Sequence, residues 1–452
     1  MMGRETIFFD VHCHAMNLSH PGLVVFVRRF INTLIRNRGT HKNFITFMAD
    51  TVIGAWRLVI GLVIAGKFLI CSLLKIEFYQ GQRKGFLARA WQLFANQKYV
   101  QRVANLLCIM EQDMGEFFTL MEQDVLKVMN DDRAIVLHDQ PENPKGFTKI
   151  VLTPLIMDFG HKQDSWLVKT HYKILHKPVD EQIIDVLNGI KWYRSKSGAF
   201  LEMYPFLGIN TANYSLEELQ KRLAISFGAY KNCSGEERLK KLSEQCGKFT
   251  GKIDDIGDFN FAGVKVYPPL GFDPWPDHSD EELDKVKMLY GFCIDSRLPI
   301  TAHCSQGGFC VVDKKTANTF TSPDRWEKAL KAFPALKLDC AHFGGGIVDK
   351  NSAWMNKITY LVQHFENVYT DFACQCFNEK NYRFLGGYLD AHKNDPAPYK
   401  LEDKVLFGTD FMINLFWTDS YEDYLKRFIE TDGLHGYKHN FCCDNPYRFL
   451  FG

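Results

Sequence analysis

Short apolar runs that stop at a polar residue recur along this chain. The first begins at Ile7-Phe8-Phe9, and each is bounded by turn-forming residues. Runs of this length and composition are typical of buried β-strands. The pattern predicts eight strands, the first over residues 5–14 and the others over residues 147–159, 204–211, 262–267, 299–303, 336–342, 368–373 and 404–410.

Helix start signals lie between these runs. They consist of a small polar residue followed three positions later by Glu, the pattern of an N-terminal capping box, or followed at once by Pro. Alternating strands and helices predict an α/β protein, and eight such units predict a (β/α)8 TIM barrel with its active site at the C-terminal strand ends. The signals are Ser215-x-x-Glu218, Ser234-x-x-Glu237, Ser279-x-x-Glu282, Asp419-x-x-Glu422 and Ser322-Pro323.

The section from residue 15 to 131 has no strand pattern. Apolar residues recur at i+3 and i+4 spacing between Val100 and Val125, which predicts a long amphipathic helix packed in the core. We therefore expect residues 1–14 and 132–452 to form the barrel and residues 15–131 to form a large helical insertion after strand 1. Its place in the order of elements predicts a position above the barrel mouth, where it would act as a lid or contact a membrane or a partner.

Residues 58–74 are apolar except for Lys67, and basic residues flank them. A membrane-spanning helix needs about 20 apolar residues, and a lysine at mid-span costs about 2.5–3.5 kcal/mol on insertion scales. A helix buried in the fold or in a dimer contact is therefore favoured, and docking on a membrane surface is the alternative.

Composition narrows the class of protein. The 452 residues suffice for one large barrel with an insertion or for two or three ordinary domains. A net charge of +1 provides no field that would attract nucleic acid, so the expected partner is a small-molecule substrate. Thirteen cysteines without zinc-finger spacing, together with the absence of a secretory signal pattern, predict reduced thiols and a cytoplasmic location. A homo-oligomer is compatible with this composition.

Histidines and an aspartate stand where strands end. In the segment from Asp10 to His14, alternation places His12 and His14 on one face, which is half of a divalent metal site. His303 and His342 also end apolar runs, and glycines follow both. A lone histidine in such a place is more often structural, and Asp410, which ends the last run, is equally placed to cap a helix. The combined set nevertheless favours a centre for one or two divalent ions, with zinc preferred.

Lys265 lies in the run Gly-Val-Lys-Val-Tyr, where alternation directs Lys265 and Tyr267 into the barrel. Burial lowers the pKa of a lysine, which favours reaction with carbon dioxide to a carbamate that bridges two metals. Alternatively, the lysine stays a cation that holds a substrate carboxylate or phosphate, or pairs with a carboxylate of the protein. Tyr267 and Asn414 are candidate substrate-binding residues, as are Asp273 and Trp275, although each is also compatible with a structural role.

These residues predict a mechanism. Divalent ions lower the pKa of bound water from about 15.7 to about 7 and polarise a carbonyl, and Asp410 is expected to accept the proton and pass it to the leaving group. The predicted activity is metal-dependent hydrolysis of a C–N or C–O bond in a small amide, lactone or ester. The main alternative is non-oxidative decarboxylation with a single metal. Phosphoester hydrolysis and a non-enzymatic role in binding a partner are further alternatives.

The complete set resembles the amidohydrolase superfamily. That resemblance implies that His12, His14, Lys265, His303, His342 and Asp410 are the metal ligands. The residues around His342 and the segment 445–450 resemble the subgroup of aminocarboxymuconate semialdehyde decarboxylase, which implies one metal and a catalytic His342 that orients water or substrate. The phrase Lys265-x-Tyr-Pro is similar to dihydroorotase, which implies two metals and a carboxylated lysine, although the Arg that follows the paired histidines in dihydroorotase is absent here.

Overall fold

The computed structural model describes residues 7–21, 98–139, 146–160, 177–310, 312–349 and 352–452. The described residues belong to one compact unit of the chain, Met1–Val24 with Lys98–Gly452. The apolar stretch 58–74 lies outside the described residues, and the boundaries expected for the barrel and the insertion stay a prediction. None of the described helices is long and apolar enough to cross a membrane.

Parallel strands build the sheet of this unit. Their order is β1-β2-β4-β5-β6-β7-β8-β9, and β3 pairs with β2, so that β3 and β4 together take the third of eight positions. The strands are β1 Ile7–His14, β2 Lys149–Leu155, β3 Glu202–Met203, β4 Phe206–Gly208, β5 Gly263–Val266, β6 Ile300–His303, β7 Leu338–Ala341, β8 Val368–Asp371 and β9 Val405–Leu406.

The sheet closes between its first and last strands. The Val11 amide donates to the Phe407 carbonyl at 3.1 Å, and Cys13 forms a parallel bridge with Phe411. Closure after eight positions gives a (β/α)8 barrel, so the predicted fold class is confirmed. The predicted third strand, 204–211, is the least accurate, because the chain makes two short pairings at 202–203 and 206–208 in place of one continuous strand.

Helices follow most of the strands. Ser215 and Ser234 form complete capping boxes, and Ser322 caps a helix whose first residue is Pro323, as predicted. The helices are α1 Lys98–Met110, α2 Met114–Val128, α3 Val179–Arg194, α4 Leu216–Phe227, α5 Gly235–Gln245, α6 Asp280–Asp295, α7 Lys314–Thr321, α8 Pro323–Ala332, α9 Ser352–His364, α10 Glu379–His392, α11 Tyr421–Glu430 and α12 Asn445–Phe451.

Two helix predictions are wrong in detail. Ser420, not Asp419, caps α11, and its hydroxyl accepts a hydrogen bond from the Asp423 amide at 3.0 Å, while Asp419 pairs with Arg102 at 2.7 Å. The helix expected between residues 100 and 125 is two helices, because Asp113 caps α2 after a short turn. The apolar spacing continues across that turn, so periodicity alone does not reveal the break.

Apolar residues close the N-terminal end of the barrel. One cluster of buried hydrophobic side chains joins residues of β1, β2 and β4 to Phe449 and Phe451 of α12. At this end Phe9 and Phe451 have ring centroids 6.4 Å apart. The buried histidines described below lie at or beyond the C-terminal ends of their strands, where a barrel places its chemistry.

Candidate active site

The structure brings four of the predicted ligand residues together. His12, His342 and Asp410 each offer a ligand atom, and these atoms lie within 4.8 Å of one another. The second histidine of β1 joins them, since His14 Nε2 lies 2.9 Å from Asp410 Oδ1, and His12 Nε2 lies 3.5 Å from the same oxygen. All four side chains are buried.

The three histidines have their other ring nitrogen occupied. His12 Nδ1 contacts Asp371 Oδ2 at 2.6 Å, His342 Nδ1 contacts the Ala373 carbonyl at 2.9 Å, and His14 Nδ1 contacts the Leu155 carbonyl at 3.4 Å. For His12 and His342 such contacts assign the proton to Nδ1 and leave the Nε2 lone pair to face inward, whereas His14 Nε2 faces the Asp410 carboxylate at hydrogen-bond distance. His12 Nε2 is buried and makes no hydrogen bond within the described residues.

Asp371, which the sequence analysis missed, orients this cluster. It ends β8, and its Oδ1 accepts hydrogen bonds from the amides of His342 at 2.8 Å and Ala373 at 2.9 Å, while its Oδ2 contacts His12. Burial alone would raise the pKa of Asp371, but the charge and hydrogen bond of His12 lower it below its usual value. No strand-end signal marked it in the sequence, because Asp371 lies inside the predicted run 368–373 and the strand itself ends earlier, at Asp371.

Asp410 has the electrostatic setting of an ionised carboxylate. Burial acts to raise its pKa, but the hydrogen bond and charge of His14, with His342 and His12, lower it overall. Burial lowers the pKa of His12 to about 4, so this imidazole is neutral at physiological pH and able to act as a ligand. Asp410 is not a helix cap, because Met412 occupies the N-cap of the next helical turn.

His303 lies beside the cluster and is not one of its mutually close members. Its ring centroid is 4.8 Å from that of His342 and 4.7 Å from that of Tyr267, and its Nε2 lies 3.4 Å from the Ser305 hydroxyl. Burial lowers the pKa of His303 well below its usual value.

Lys265 enters the same space from β5. Its Nζ is buried, makes no hydrogen bond in the part of the chain that the structure describes, and lies 5.7 Å from the centre of the Tyr267 ring. Burial lowers the pKa of Lys265 to about 8, against the opposing charges of Asp371, Asp339 and Asp410.

Asp339 was also missed in the sequence. It lies within β7, fully buried, and offers an oxygen within 4.8 Å of ligand atoms of His12 and Asp371. Burial and the neighbouring Asp371 carboxyl raise the pKa of Asp339 well above its usual value. An aspartate in the middle of a strand has no sequence signal that separates it from an ordinary strand residue.

The predicted substrate-binding residues are placed differently. Tyr267 Oη accepts a hydrogen bond from the Phe309 amide at 3.1 Å beside His303. Asn414 is fully buried, and its backbone amide donates a hydrogen bond to the Asp410 carbonyl at 3.1 Å. The amide group of its side chain has no hydrogen-bond partner among the described residues. Asp273 instead forms an ion pair with Arg325 at 2.8 Å and accepts a hydrogen bond from the Trp275 amide at 3.0 Å. These contacts give Asp273 and Trp275 a structural role.

The loop after β6 lies against Tyr267 and His303. A Cβ added to Gly308 would overlap Tyr267 Oη and lie 3.1 Å from His303 Nε2, and Gly308 has a φ of +77° that favours glycine. Phe309 packs edge-to-face against Phe159 with centroids 6.1 Å apart.

A family model described as amidohydrolase matches residues 252–452. That stretch includes β5 to β9 and therefore Lys265, His303, His342 and Asp410. No curated protein matches the chain.

Similar solved structures are distant in sequence. The 5-carboxyvanillate decarboxylase of Novosphingobium aromaticivorans, complexed with manganese and 4-hydroxy-3-methoxy-5-nitrobenzoic acid, is 10% identical over 99% of this chain and 96% of that chain, with a TM-score of 0.41. A probable 2-pyrone-4,6-dicarboxylic acid hydrolase of Acinetobacter baumannii is 13% identical over 70% and 86%, with a TM-score of 0.36. Dihydroorotase of Campylobacter jejuni is 14% identical over 67% and 75%, with a TM-score of 0.29. These identities and scores are too low to indicate a reaction.

Proposed function

We propose that this chain, whose residues 252–452 match a family model described as amidohydrolase, is a metal-dependent hydrolase of a C–N or C–O bond in a small amide, lactone or ester. The observation that supports this most is the carboxylate of Asp410, 2.9 Å from His14 and 3.5 Å from His12. A carboxylate among inward-facing imidazoles is a donor set for a divalent cation and also a proton acceptor.

The residues fit a divalent ion. His12 Nε2 is buried without a hydrogen bond in the described part of the chain, and a buried polar atom left in this state is costly unless something binds it. We expect His12, His14, His342 and Asp410 to hold one ion, since His303 lies against Tyr267 and Ser305. Nitrogen and oxygen donors suit zinc and also manganese. The bound ion would supply Lewis acidity, which polarises a carbonyl and makes water more acidic.

The side chains have separate tasks in this proposal. Asp410 takes a proton from the attacking water and delivers it to the leaving nitrogen or oxygen. His342, whose Nδ1 is held by the Ala373 carbonyl, presents Nε2 to the same space as a ligand beside His12 and His14. Lys265 stays a cation and binds an anionic group of the substrate, while Tyr267 and Asn414 line the remaining space.

Decarboxylation is the second candidate, and one observation favours it. The Lys265 ammonium is buried and makes no hydrogen bond within the described ranges, so it is suited to receive a substrate carboxylate. If that carboxylate is the group that leaves, its C–C bond breaks, carbon dioxide is released and a proton takes its place on the carbon, with no net uptake of water.

Metal content and intact mass are the first test. Full-length protein purified without chelator should contain about one divalent ion per chain and an unmodified Lys265. About two ions with a mass increase of one carboxylate on Lys265 would contradict the single-ion proposal and favour a two-metal hydrolase. If the protein holds no ion and takes up neither zinc nor manganese, the metal-dependent proposal is wrong.

The reaction is tested with amides, lactones, esters and aromatic or enoic acids in water enriched in oxygen-18. Hydrolysis incorporates the label into the acid product, whereas decarboxylation releases carbon dioxide. Asp410→Asn should lower kcat about 10²–10⁴-fold, the usual contribution of a general base. Asp277→Asn is the matched control, because the Asp277 carboxylate pairs with Arg325 and Lys328, away from the residues of the site. Equal loss in both variants would contradict the role of Asp410.

A further inference from the structure

Asp10 lies where the barrel closes and receives four hydrogen bonds. Its Oδ1 accepts from the amides of His12 at 3.2 Å and Thr409 at 3.0 Å. Its Oδ2 accepts from the Thr409 hydroxyl at 2.6 Å and from the Tyr421 hydroxyl at 3.0 Å. The side chain is fully buried, so water does not replace these bonds.

The same hydrogen-bond network holds the residues immediately before and after Asp410. The amides of Thr409 and Asp410 donate to the His12 carbonyl at 3.1 and 2.6 Å. The Phe411 amide donates to the Thr409 hydroxyl at 3.1 Å, and that hydroxyl donates to Asp10. Residues before and after Asp410 are thus attached to the strand that carries His12.

The backbone at Asp410 needs this support. Its φ is +56°, a left-handed conformation that residues with a Cβ adopt only when the surroundings enforce it. The two segments also approach closely, since a Cβ added to Gly408 would lie 2.5 Å from the Cβ of His12. The direction of the Asp410 carboxylate therefore depends on how residues 409–411 are held against β1.

We propose that Asp10 is a positioning residue that sets Asp410 in the correct place relative to His12 and His14 for metal binding. This inference rests on the proposed function, in which these three residues are ligands. Asp10 itself touches neither metal nor substrate in this proposal. It acts through Thr409 and through the His12 backbone.

Zinc affinity of the full-length protein tests the proposal independently of any substrate. Asp10→Asn keeps the Oδ1 acceptor but places an amide nitrogen where Oδ2 accepts from Thr409 and Tyr421. Zinc affinity, measured by competition with a chelator, should fall about 10–100-fold, as for other residues that orient metal ligands. Tyr421→Phe removes one of the four bonds and should cause a smaller loss.

Asp139→Asn is the matched control. Asp139 is also a buried carboxylate; it pairs with Lys438 at 3.2 Å and accepts from the Gly436 amide at 3.0 Å, and neither partner contacts the site. This variant should lower the melting temperature without changing zinc affinity. If Asp10→Asn behaves in the same way, Asp10 is merely structural and the inference is overturned.

Thr409 provides the test if Asp10→Asn does not fold. Thr409→Ser keeps the hydroxyl that connects Phe411 to Asp10, whereas Thr409→Val removes it at similar volume. We expect Thr409→Val to weaken zinc binding and Thr409→Ser to retain it. Equal zinc affinities in the two variants would overturn the inference, whereas a wild-type protein that binds no zinc would contradict the proposed function instead.

Discussion

His12 Nδ1 and Asp371 Oδ2 lie 2.6 Å apart, although 359 positions separate the two residues in the sequence. Both side chains are fully buried, and the same carboxylate accepts the His342 amide through its other oxygen. One aspartate thus holds a ring on β1 and the backbone of the residue that follows β7.

Asp371→Asn should weaken metal binding about 10–100-fold, because the His12 ring loses the charged acceptor that holds its orientation. Zinc titration of the purified variant measures this. Asp324→Asn is the control, since Asp324 is an exposed residue whose carboxylate lies 3.5 Å from Lys357. Unchanged affinity in Asp371→Asn would show that His12 does not depend on this contact.

Gly308→Ala should lower kcat/KM and destabilise the loop after β6. The new methyl group would overlap Tyr267 Oη, and the left-handed backbone costs a residue with a Cβ about 1–2 kcal/mol. Gly307→Ala separates the two effects, because Gly307 has a φ of +111° but nothing within 4 Å of an added Cβ. Kinetics that are equally impaired in both variants would assign the loss to backbone strain alone.

Asn414→Leu should raise the free energy of unfolding by about 1–3 kcal/mol and lower kcat/KM. Both polar atoms of the Asn414 side chain are buried without a hydrogen-bond partner in the described residues. Burying them in this state lowers the stability of the folded protein, and an apolar side chain of similar shape removes that cost. Urea unfolding and steady-state kinetics measure the two effects. Asn260→Leu is the control, because the side-chain amide of Asn260 donates a hydrogen bond to the Ile256 carbonyl. This substitution removes that bond and should lower the free energy of unfolding. A stabilised Asn414→Leu with full activity would exclude Asn414 from substrate binding.

Stability should rise with pH between about 7 and 10.5 because of Lys337. Burial lowers the pKa of Lys337 from 10.5 to about 7. In this range the unfolded chain binds the proton and the folded chain does not, so the free energy of unfolding increases with pH. The slope should be larger in the wild type than in Lys337→Met when unfolding is measured in urea at pH 7, 8.5 and 10. Equal slopes would show that the Lys337 ammonium, which donates to the Gly452 carbonyl at 2.6 Å, is not destabilised by burial.

The barrel was predictable because each of its strands is an apolar run bounded by turn residues. His12, His14, His342 and Asp410 could be placed together from sequence alone, since all parallel strands end at the same face of a barrel. Asp371 and Asp339 could not be separated from ordinary aspartates, because their importance comes from contacts with β1 that no local pattern encodes. The position of His303 beside Tyr267 depends on the path of the Gly308 loop, which periodicity does not describe.

The closure of the barrel between β1 and residues 407–411 has a consequence for biosynthesis. Asp10 and Thr409 are 399 positions apart, so the first strand leaves the ribosome long before its partner exists. Contacts of such long range form slowly, and until they form the β1 edge stays unpaired on one side. We expect C-terminal truncation before residue 411 to yield chains that bind no metal and depend on chaperones, and nascent chains to acquire the centre only when the last strand is released.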